Sequence, residues 1–448
     1  TFTARGAISN LCVTQQPAQE VESSLPNGTV QLCVQAVGLN FRDVLNVLGA
    51  YPGDPGLPGG DCASVVHSLA SSSTSHVFVG ECVFGHAVAA LSSYARSDVR
   101  LQGSLSKTQL TFEGASTLPT TWCTMHMALT AASTVVADQH FLVHAGAGGV
   151  GLVAIEYAQW VRTTVHATAG SQWKHLHVRR AGVRMLTSSR DAGAFAKGAT
   201  TSSRGTRLGF VVNSLSKDFI ATSIALLGEF GRFAEIGKRN VWSKSRFLAA
   251  VSTRPALNYN VVALDSAMAH SPSWMQGVLA SLSARACASV THALPLQCFD
   301  MHRRVHAAFQ CLQRGQNVGK IVVRLPSTIV AMPQSTHLLT GGTGGLGLVT
   351  AQWLTEKGAS TVVLASRTGE LSRKQDSIHT ASALVGQCDT AEPADVRNVL
   401  SQIASFAKQR LSGVWHAAGV LSDGPISAQT AHSLCRVYAP KAHGAWWM

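Results

Sequence analysis

The sequence predicts an α/β protein: a β-rich first part followed by two separate strand–turn–helix–strand units with glycine-rich turns. Three observations carry this. Residues 30–110 break into short apolar stretches separated by turn residues. Residues 141–169 read as an apolar strand, a run of glycines, a helix and a second apolar strand. Residues 337–365 repeat that order with a different glycine pattern. At about 150 residues per domain, the length of 448 residues suggests about three domains.

Taken in order, Val30–Val37 alternates polar and apolar residues, which predicts a half-buried strand. Pro52-Gly53-Asp54-Pro55-Gly56 and Pro58-Gly59-Gly60 predict turns. Glu113–Leu129 predicts a helix broken at Pro119. Phe141–His144 is a compact apolar strand, Val150–Val161 a helix and Thr164–Ala169 the next strand, together a βαβ unit. Residues 192–209, rich in Gly, Ser, Thr and Ala, predict a loop. The alternation resumes with a strand at Phe210–Val212, a helix at Asp218–Leu227 and a strand at Arg232–Ile236. Residues 262–325 end in the apolar strand Lys320–Leu325, and Pro326–Gln334 predicts a short linker. The second βαβ unit has strands His337–Thr340 and Thr361–Ala365 around a helix Leu348–Lys357, with a further strand at Ser412–His416.

Composition narrows the function classes. Apolar residues make up 46% and charged residues 13%, against about 25% charged in a typical soluble chain, which excludes a disordered chain or a coiled coil. Lys and Arg number 36 against 23 Asp and Glu, a formal charge of +13. The cations are scattered, with no run of five. The balance therefore describes a basic globular surface, or one suited to an acidic protein partner, rather than a nucleic-acid site. Ten cysteines lie far apart without a CxxC pair, the pattern of buried thiols in a reducing compartment rather than of a disulfide scaffold or a zinc site. His302 and His306 lack the glutamate of an HExxH site, so no metal is expected. Phe141–Trp160 is apolar but holds His144, Glu156 and several glycines, which a membrane span would not. No basic segment followed by an apolar core opens the sequence, as it would in a signal peptide.

The first turn is Ala145-Gly146-Ala147-Gly148-Gly149-Val150-Gly151, and the second is Thr340-Gly341-Gly342-Thr343-Gly344-Gly345-Leu346-Gly347. Glycines permit a tight strand-to-helix turn and a close backbone approach to a pyrophosphate, which then meets the free N–H groups and positive end of the helix. Each turn follows an apolar strand and opens a helix, the context this reading needs. A unit that selects NAD places Asp or Glu at the end of its second strand. Here the first unit has Ala169-Gly170-Ser171 with Lys174 just after, and the second has Ser366-Arg367. A hydroxyl beside a cation suits a 2′-phosphate, so both units predict NADPH sites.

These residues sit within a wider match. Val37-Gly38-Leu39-Asn40-Phe41-Arg42-Asp43-Val44-Leu45 is followed by Gly49-Ala50-Tyr51-Pro52-Gly53 and Leu118-Pro119. The turn His144–Gly151, Ala167-Thr168-Ala169-Gly170-Ser171, Asn213-Ser214-Leu215-Ser216 and Glu235-Ile236-Gly237-Lys238-Arg239 follow in turn. In this order they resemble the enoyl reductase domain of modular polyketide synthases and animal-type fatty acid synthases, over residues 1–325. Thr340–Gly347, Ser366-Arg367, His416-Ala417-Ala418-Gly419-Val420-Leu421 and Ala439-Pro440-Lys441 resemble the ketoreductase of the same enzymes, over residues 337–448. The resemblance implies a zinc-free medium-chain reductase with a GroES-like β-rich lobe (1–110 and 262–325) and an NADPH-binding Rossmann domain (111–261). A linker (326–336) and the N-terminal part of a truncated, Rossmann-type short-chain ketoreductase (337–448) would follow. In such synthases the enoyl reductase lies between the two halves of the ketoreductase, so Thr1 and Trp446-Trp447-Met448 are expected to be cuts within a longer synthase.

The implied reaction adds hydride from NADPH to the β-carbon of an enoyl thioester held on a phosphopantetheine arm, followed by protonation of the α-carbon. The proton donor and the enolate stabiliser are then the catalytic groups. Tyr51 and Lys238 stand at the family's donor positions, and Asp265 roughly matches an assisting acid. Lys238 ranks first because Glu-Ile-Gly-Lys ends a strand of the Rossmann half, where ligands bind. Cofactor contacts are expected from Gly146, Gly148, Gly149, Val150, Gly151, Ser171, Lys174 and Asn213. In the second unit they are expected from Gly341, Thr343, Gly344, Gly345, Leu346, Gly347, Ser366, Arg367, Asp389, Ala417 and Gly419. Lys441 matches the ketoreductase's catalytic lysine, whose Ser and Tyr partners would follow Met448. Ser422 breaks the Leu-Asp-Asp signature of one hydroxyl stereochemistry. The implied partners are an acyl carrier protein, usually acidic and so suited to the basic balance, and other synthase domains in cis within a homodimer. The expected location is the cytoplasm or an organelle stroma. Two other readings stay open. One is a free-standing quinone or enoyl-CoA reductase, against which the second unit argues. The other is a degenerate scaffold, suggested by His126-Met127, Asn240 and the acid-poor stretch 192–209, which depart from the family pattern.

Overall fold

The structure, a computed structural model, describes residues 4–14, 16, 25–70, 75–130, 135–203, 205–237, 241–252, 256–325, 336–356, 359, 361–370, 382–406 and 411–448. It divides into two compact units, Thr1–Ser327 and Thr328–Met448. The expected linker at 326–336 lies, except for Thr336, outside the described residues.

The strands of the first unit are β1 (Thr29–Leu39), β2 (Asp61–Leu69), β3 (Cys82–His86), β4 (Tyr94–Asp98), β5 (Gln102–Ser104), β6 (His140–Val143), β7 (Thr164–Ala169), β8 (Met185–Ser188), β9 (Leu208–Asn213), β10 (Leu227–Glu235), β11 (Asn258–Val261), β12 (Leu296–Asp300) and β13 (Lys320–Arg324). They form two sheets. One runs β12-β13-β1-β2-β3-β5, with β4 also on β1, and is antiparallel except where β12 meets β13. The other is parallel, in the order β11-β10-β9-β6-β7-β8. Its order reverses between β6 and β9, and a crevice opens outside the strand ends at such a switch point. In the second unit, β14 (Thr336–Thr340), β15 (Thr361–Ser366), β16 (Ser382–Gln387) and β17 (Leu411–His416) form a parallel sheet in the order β16-β15-β14-β17.

Two local expectations change and one holds. The alternating stretch Val30–Val37 is buried on both faces rather than one, because β1 is central to its sheet and covered on each side. The helix expected to break at Pro119 does so: Phe112–Ala115 ends ahead of it, and Pro119 opens a second helix, Pro119–Thr130, where its missing N–H leaves no bond unmade. Residues 192–203 form a helix rather than a loop. Asp191 Oδ1 accepts from Ala194 N at 2.9 Å to cap it, and the fully buried Phe195 anchors it. The glycine that suggested a loop has a packing role: a Cβ at Gly198 would lie 2.6 Å from Thr187 Cγ2 on β8.

A buried ion pair joins β2 and β13 of the antiparallel sheet. Lys320 Nζ lies 3.0 Å from Asp61 Oδ2, with the side chains 4% and 0% exposed. Lys320 also donates to Asn40 Oδ1 at 2.7 Å. Asp61 accepts from Asn40 Nδ2 at 3.0 Å and from Thr120 N and Oγ1 at 3.1 and 2.5 Å. The carboxylate is thus saturated, the condition under which a buried pair is tolerated. Lys320→Met leaves that carboxylate buried beside an apolar chain and is expected to cost about 3–5 kcal/mol, read as a lower urea midpoint. The double variant Asp61→Asn/Lys320→Met is expected to recover a measurable part, separating uncompensated charge from lost packing.

The residue after β6 is a second buried polar group. His144 has Nε2 2.7 Å from Ser223 Oγ and Nδ1 3.2 Å from Thr168 Oγ1, and its ring meets the edges of Phe195 and Phe219. Burial keeps the imidazole neutral and pushes its pKa down to about 3. The folded value lies below the unfolded one, so this contribution to stability is complete above about pH 6.5 and is lost as the pH falls towards 3, by at most about 1.4 kcal/mol per pH unit. His144→Gln is expected to flatten the fall of the urea midpoint between pH 6.5 and 4 relative to the parent chain.

Candidate functional site

The largest cleft described, about 800 Å³, lies in the first unit at the C-terminal ends of β6, β7, β9 and β10, against the antiparallel sheet. Its floor at the switch point is the first glycine turn. Gly146 N donates to Thr168 O at 2.8 Å, and Gly148 N to Ala145 O at 2.9 Å. A Cβ at Gly151 would lie 2.6 Å from the Ala145 carbonyl oxygen and 2.7 Å from the Gly146 Cα, so the helix Gly149–Trp160 starts this close only with glycine. Gly148 caps that helix without a side-chain bond, which leaves its first N–H groups open. Gly148, Gly149, Val150 and Gly151 all line the cleft. The strand-like loop before β13 leans on this turn: Gly319 N donates to Ala147 O at 2.8 Å, and Arg314 and Asn317 join the lining.

At one end of the cleft β7 gives way to the helix Gln172–Arg180. Ser171 is the N-cap but makes no capping bond, and its Oγ is buried without a hydrogen-bond partner. Lys174 lines the cleft; burial lowers its pKa, and Arg190 adds to that effect. Arg190, beyond β8, also lines the cleft, and its Nε would sit 3.0 Å from a Cβ at Gly170. An orphaned hydroxyl, two cations and an uncapped helix start fit the phosphates of a dinucleotide with a 2′-phosphate. Sequence reading missed Arg190, because it arrives from the third strand and no spacing motif announces it.

At the other end Asp265, first-turn acid of the helix Leu264–His270, lines the cleft. The Tyr51 hydroxyl donates to Asp265 Oδ2 in a short hydrogen bond. Arg42 Nε lies 3.9 Å from Asp265 Oδ1, and its guanidinium sits 5.2 Å from the Tyr51 ring centroid. Burial raises the phenol's pKa, the bond and charge of Asp265 add to it, and Arg42 partly offsets them. The structure therefore brings Tyr51 and Asp265 together and adds Arg42, which sequence reading did not single out. Lys238 lies outside the described residues, although Ile236 and Gly237 before it line the cleft. Asn213 sits behind the lining. Its amide donates to Leu215 O at 2.7 Å and Glu235 Oε2 at 2.8 Å.

The second unit repeats the turn. Gly341 has φ +67°, and a Cβ there would lie 2.8 Å from Ala418 N. Gly344 N donates to Gly341 O at 3.1 Å, and a Cβ at Gly347 would meet that same oxygen at 2.5 Å. Thr343, Gly345 and Leu346 complete the turn, with Leu346 exposed. Ala417 N donates to Thr340 O at 3.0 Å, and the Lys441 side chain lies over the next turn, its Cε 2.8 Å from where a Cβ of Gly419 would be. Ser366 Oγ accepts from Gly369 N at 3.1 Å, and Arg367 after it is exposed. Asp389 Oδ1 accepts from Ala391 N at 3.0 Å.

The comparisons with known proteins agree across both units. The KR domain family matches residues 335–448. The pikromycin polyketide synthase component PikAII of Streptomyces venezuelae is 33% identical over 98% of this chain, which spans 12% of that protein's length. Among solved structures, CurK enoyl reductase aligns with a TM-score of 0.65 at 31% identity, over 72% of this chain and 98% of that one. The CurF ER cyclopropanase from the curacin A biosynthetic pathway aligns over the same shares with a TM-score of 0.66 at 25% identity. The solved enoyl reductases align with the first unit and the KR domain family matches the second, and the chain belongs to the enoyl reductase family over its first unit, with a KR domain after it.

Proposed function

We propose that the first unit reduces the carbon–carbon double bond of an enoyl thioester with NADPH, the thioester being carried on the phosphopantetheine arm of an acyl carrier domain. The observation that carries this is one cleft with two chemically different ends: Lys174 and Arg190 line one, beside the buried hydroxyl of Ser171, and Asp265 and Arg42 line the other, with Tyr51 hydrogen-bonded to Asp265 behind them. NADPH, when bound, supplies the hydride that adds to the β-carbon. The residues do the rest. Gly148, Gly149, Val150 and Gly151 receive the pyrophosphate against the helix start, and Ser171, Lys174 and Arg190 hold the 2′-phosphate.

Protonation of the α-carbon completes the reduction. The Tyr51 proton is committed to Asp265, so the pair faces the cleft through the carboxylate side, and Arg42 holds the charge of that pair in place. Lys238, following the cleft-lining Gly237, is the first candidate donor, and Tyr51, which carries the proton of the Tyr51–Asp265 pair, is the second. In the second unit Lys441 over the Ala417–Gly419 turn supports a second NADPH site, with the lysine orienting the cofactor for β-ketone reduction. The longer synthase would present the carrier and the other domains in cis, as a homodimer. The chain would work in a reducing compartment, the cytoplasm or an organelle stroma. Among the described residues no disulfide joins the cysteines, and no helix is long and apolar enough to cross a membrane.

The test is NADPH oxidation by the chain with a crotonyl thioester and, separately, a quinone. Turnover of the thioester is expected, and turnover of the quinone alone would overturn the reading. Asp265→Asn and Tyr51→Phe are each expected to lower kcat about 10- to 100-fold, and Lys238→Met combined with Tyr51→Phe more than either. Ser171→Ala/Lys174→Ala is expected to raise the KM for NADPH about 10- to 100-fold, from lost charge-assisted bonds, while leaving that for NADH unchanged.

A further inference from the structure

We propose that Glu235 is a positioning residue that, only as a carboxylate, ties together the two turns after β9 and β10 that border the cleft, and so sets the affinity of the cleft for NADPH. The proposal rests on the reading that this cleft takes NADPH. Glu235 is the last residue of β10 and is 1% exposed. Its Oε1 accepts from Gly237 N at 2.7 Å, within its own turn. Its Oε2 accepts from Asn213 Nδ2 at 2.8 Å, across to the turn after β9. Asn213 in turn grips that second turn twice, donating to Leu215 O at 2.7 Å and accepting from Leu215 N at 3.2 Å. Ser214, Leu215, Ser216, Ile236 and Gly237 all line the cleft. One carboxylate thus links both loops at the strand ends.

The link depends on charge state because both partners are donors. A carboxylate accepts from both, whereas a carboxylic acid must place its own O–H on one oxygen and face one donor with it. Asn213 cannot turn its amide to receive that proton without losing both bonds to Leu215. Gly237 offers no alternative, since its approach is close enough that a Cβ there would lie 2.6 Å from Oε1. Protonation therefore releases one of the two turns. The surroundings place the change near neutrality. Burial raises the carboxyl to about 7 against the pull of the two hydrogen bonds. From β11, Tyr259 is the titratable neighbour; burial and then Glu235 push its phenol up to about 12, so it stays neutral. From β9 the facing group is the neutral Asn213.

The linkage has a definite sign. The carboxylate, and hence the tether, is present above about pH 7 and absent below it. The folded pKa is raised, so this group does not destabilise the fold as the pH falls through 7, and weaker binding there is not a sign of unfolding.

The experiment is a fluorescence titration of NADPH into the whole chain between pH 6 and 8.5, for the parent and Glu235→Gln, which mimics the protonated acid. At pH 8 the variant is expected to bind about tenfold more weakly, with the two curves converging by pH 6. Titration of the NADPH 2′-phosphate is common to both proteins, so the difference isolates Glu235. Parallel curves, or identical ones, would overturn the proposal. Amide hydrogen exchange of the parent, corrected for intrinsic rates, provides a measurement that needs no variant. Protection at Gly237 or at Leu215 is expected to drop as the pH falls from 8 to 6, and unchanged protection at both refutes the tether. If the parent fails to bind NADPH at pH 8, the cofactor reading falls, and the exchange measurement still decides the role of Glu235.

Discussion

The arrangement of the first unit depends on the buried pair Asp61–Lys320. The two residues come from β2 and β13; Asn40, which bonds both, and Thr120, which bonds Asp61, bring in the start of the helix Phe41–Val47 and of the helix Pro119–Thr130. Four segments distant in sequence are therefore referenced to one carboxylate. The Lys320 stem also underlies the glycine turn, its Cδ lying 3.1 Å from where a Cβ of Gly149 would be. In a low-dielectric interior such a pair is tolerated when every donor and acceptor is matched, and a shifted strand would strand a charge. It defines register more than it adds stability.

That pair carries the reacting groups with it. Asn40 closes a capping box with Asp43, which fixes the first turn of the helix bearing Arg42. Arg42 then meets Tyr51 and Asp265 from an element that cannot rotate freely. The opposite end of the cleft is built differently. There the parallel strands deliver open N–H groups and the cations Lys174 and Arg190 to a crevice their own order creates. Arg42 and Tyr51 thus come from the segment between β1 and β2 of the antiparallel sheet, Asp265 follows β11 of the parallel sheet, and Lys174 and Arg190 follow β7 and β8 of that same sheet.

Much of this was legible in the sequence where one local rule decides the outcome. Thr164–Ala169 is a strand with the expected bounds, and both glycine turns stand between strand and helix as their spacing requires. Reading failed where two local signals competed. In 192–203 the glycines and serines suggested a loop, but the alanines, the Asp191 cap and buried Phe195 make a helix whose glycine admits β8. At Pro119, where a single signal acts, the expected break stands between the helices Phe112–Ala115 and Pro119–Thr130. The site residues that were missed share one property: Arg42, Arg190 and Glu235 gain their meaning from a partner on another strand or helix. Asp61 and Lys320, 4% exposed or less, look like ordinary surface charges until β1 is seen between β2 and β13.

The pairing of β1 with β13 also orders events during synthesis. Val37 lies beside Val323, so the first long strand emerges from the ribosome well before the neighbour it needs on one side. The parallel sheet, by contrast, is complete once β11 has appeared at Val261. Contacts of short sequence separation form first, because less loop entropy opposes them. The nascent chain therefore keeps an apolar β1 half-paired while the parallel sheet consolidates, and β13 arrives last to close it. The interval between those two moments is when this chain is most exposed to aggregation and most dependent on chaperones.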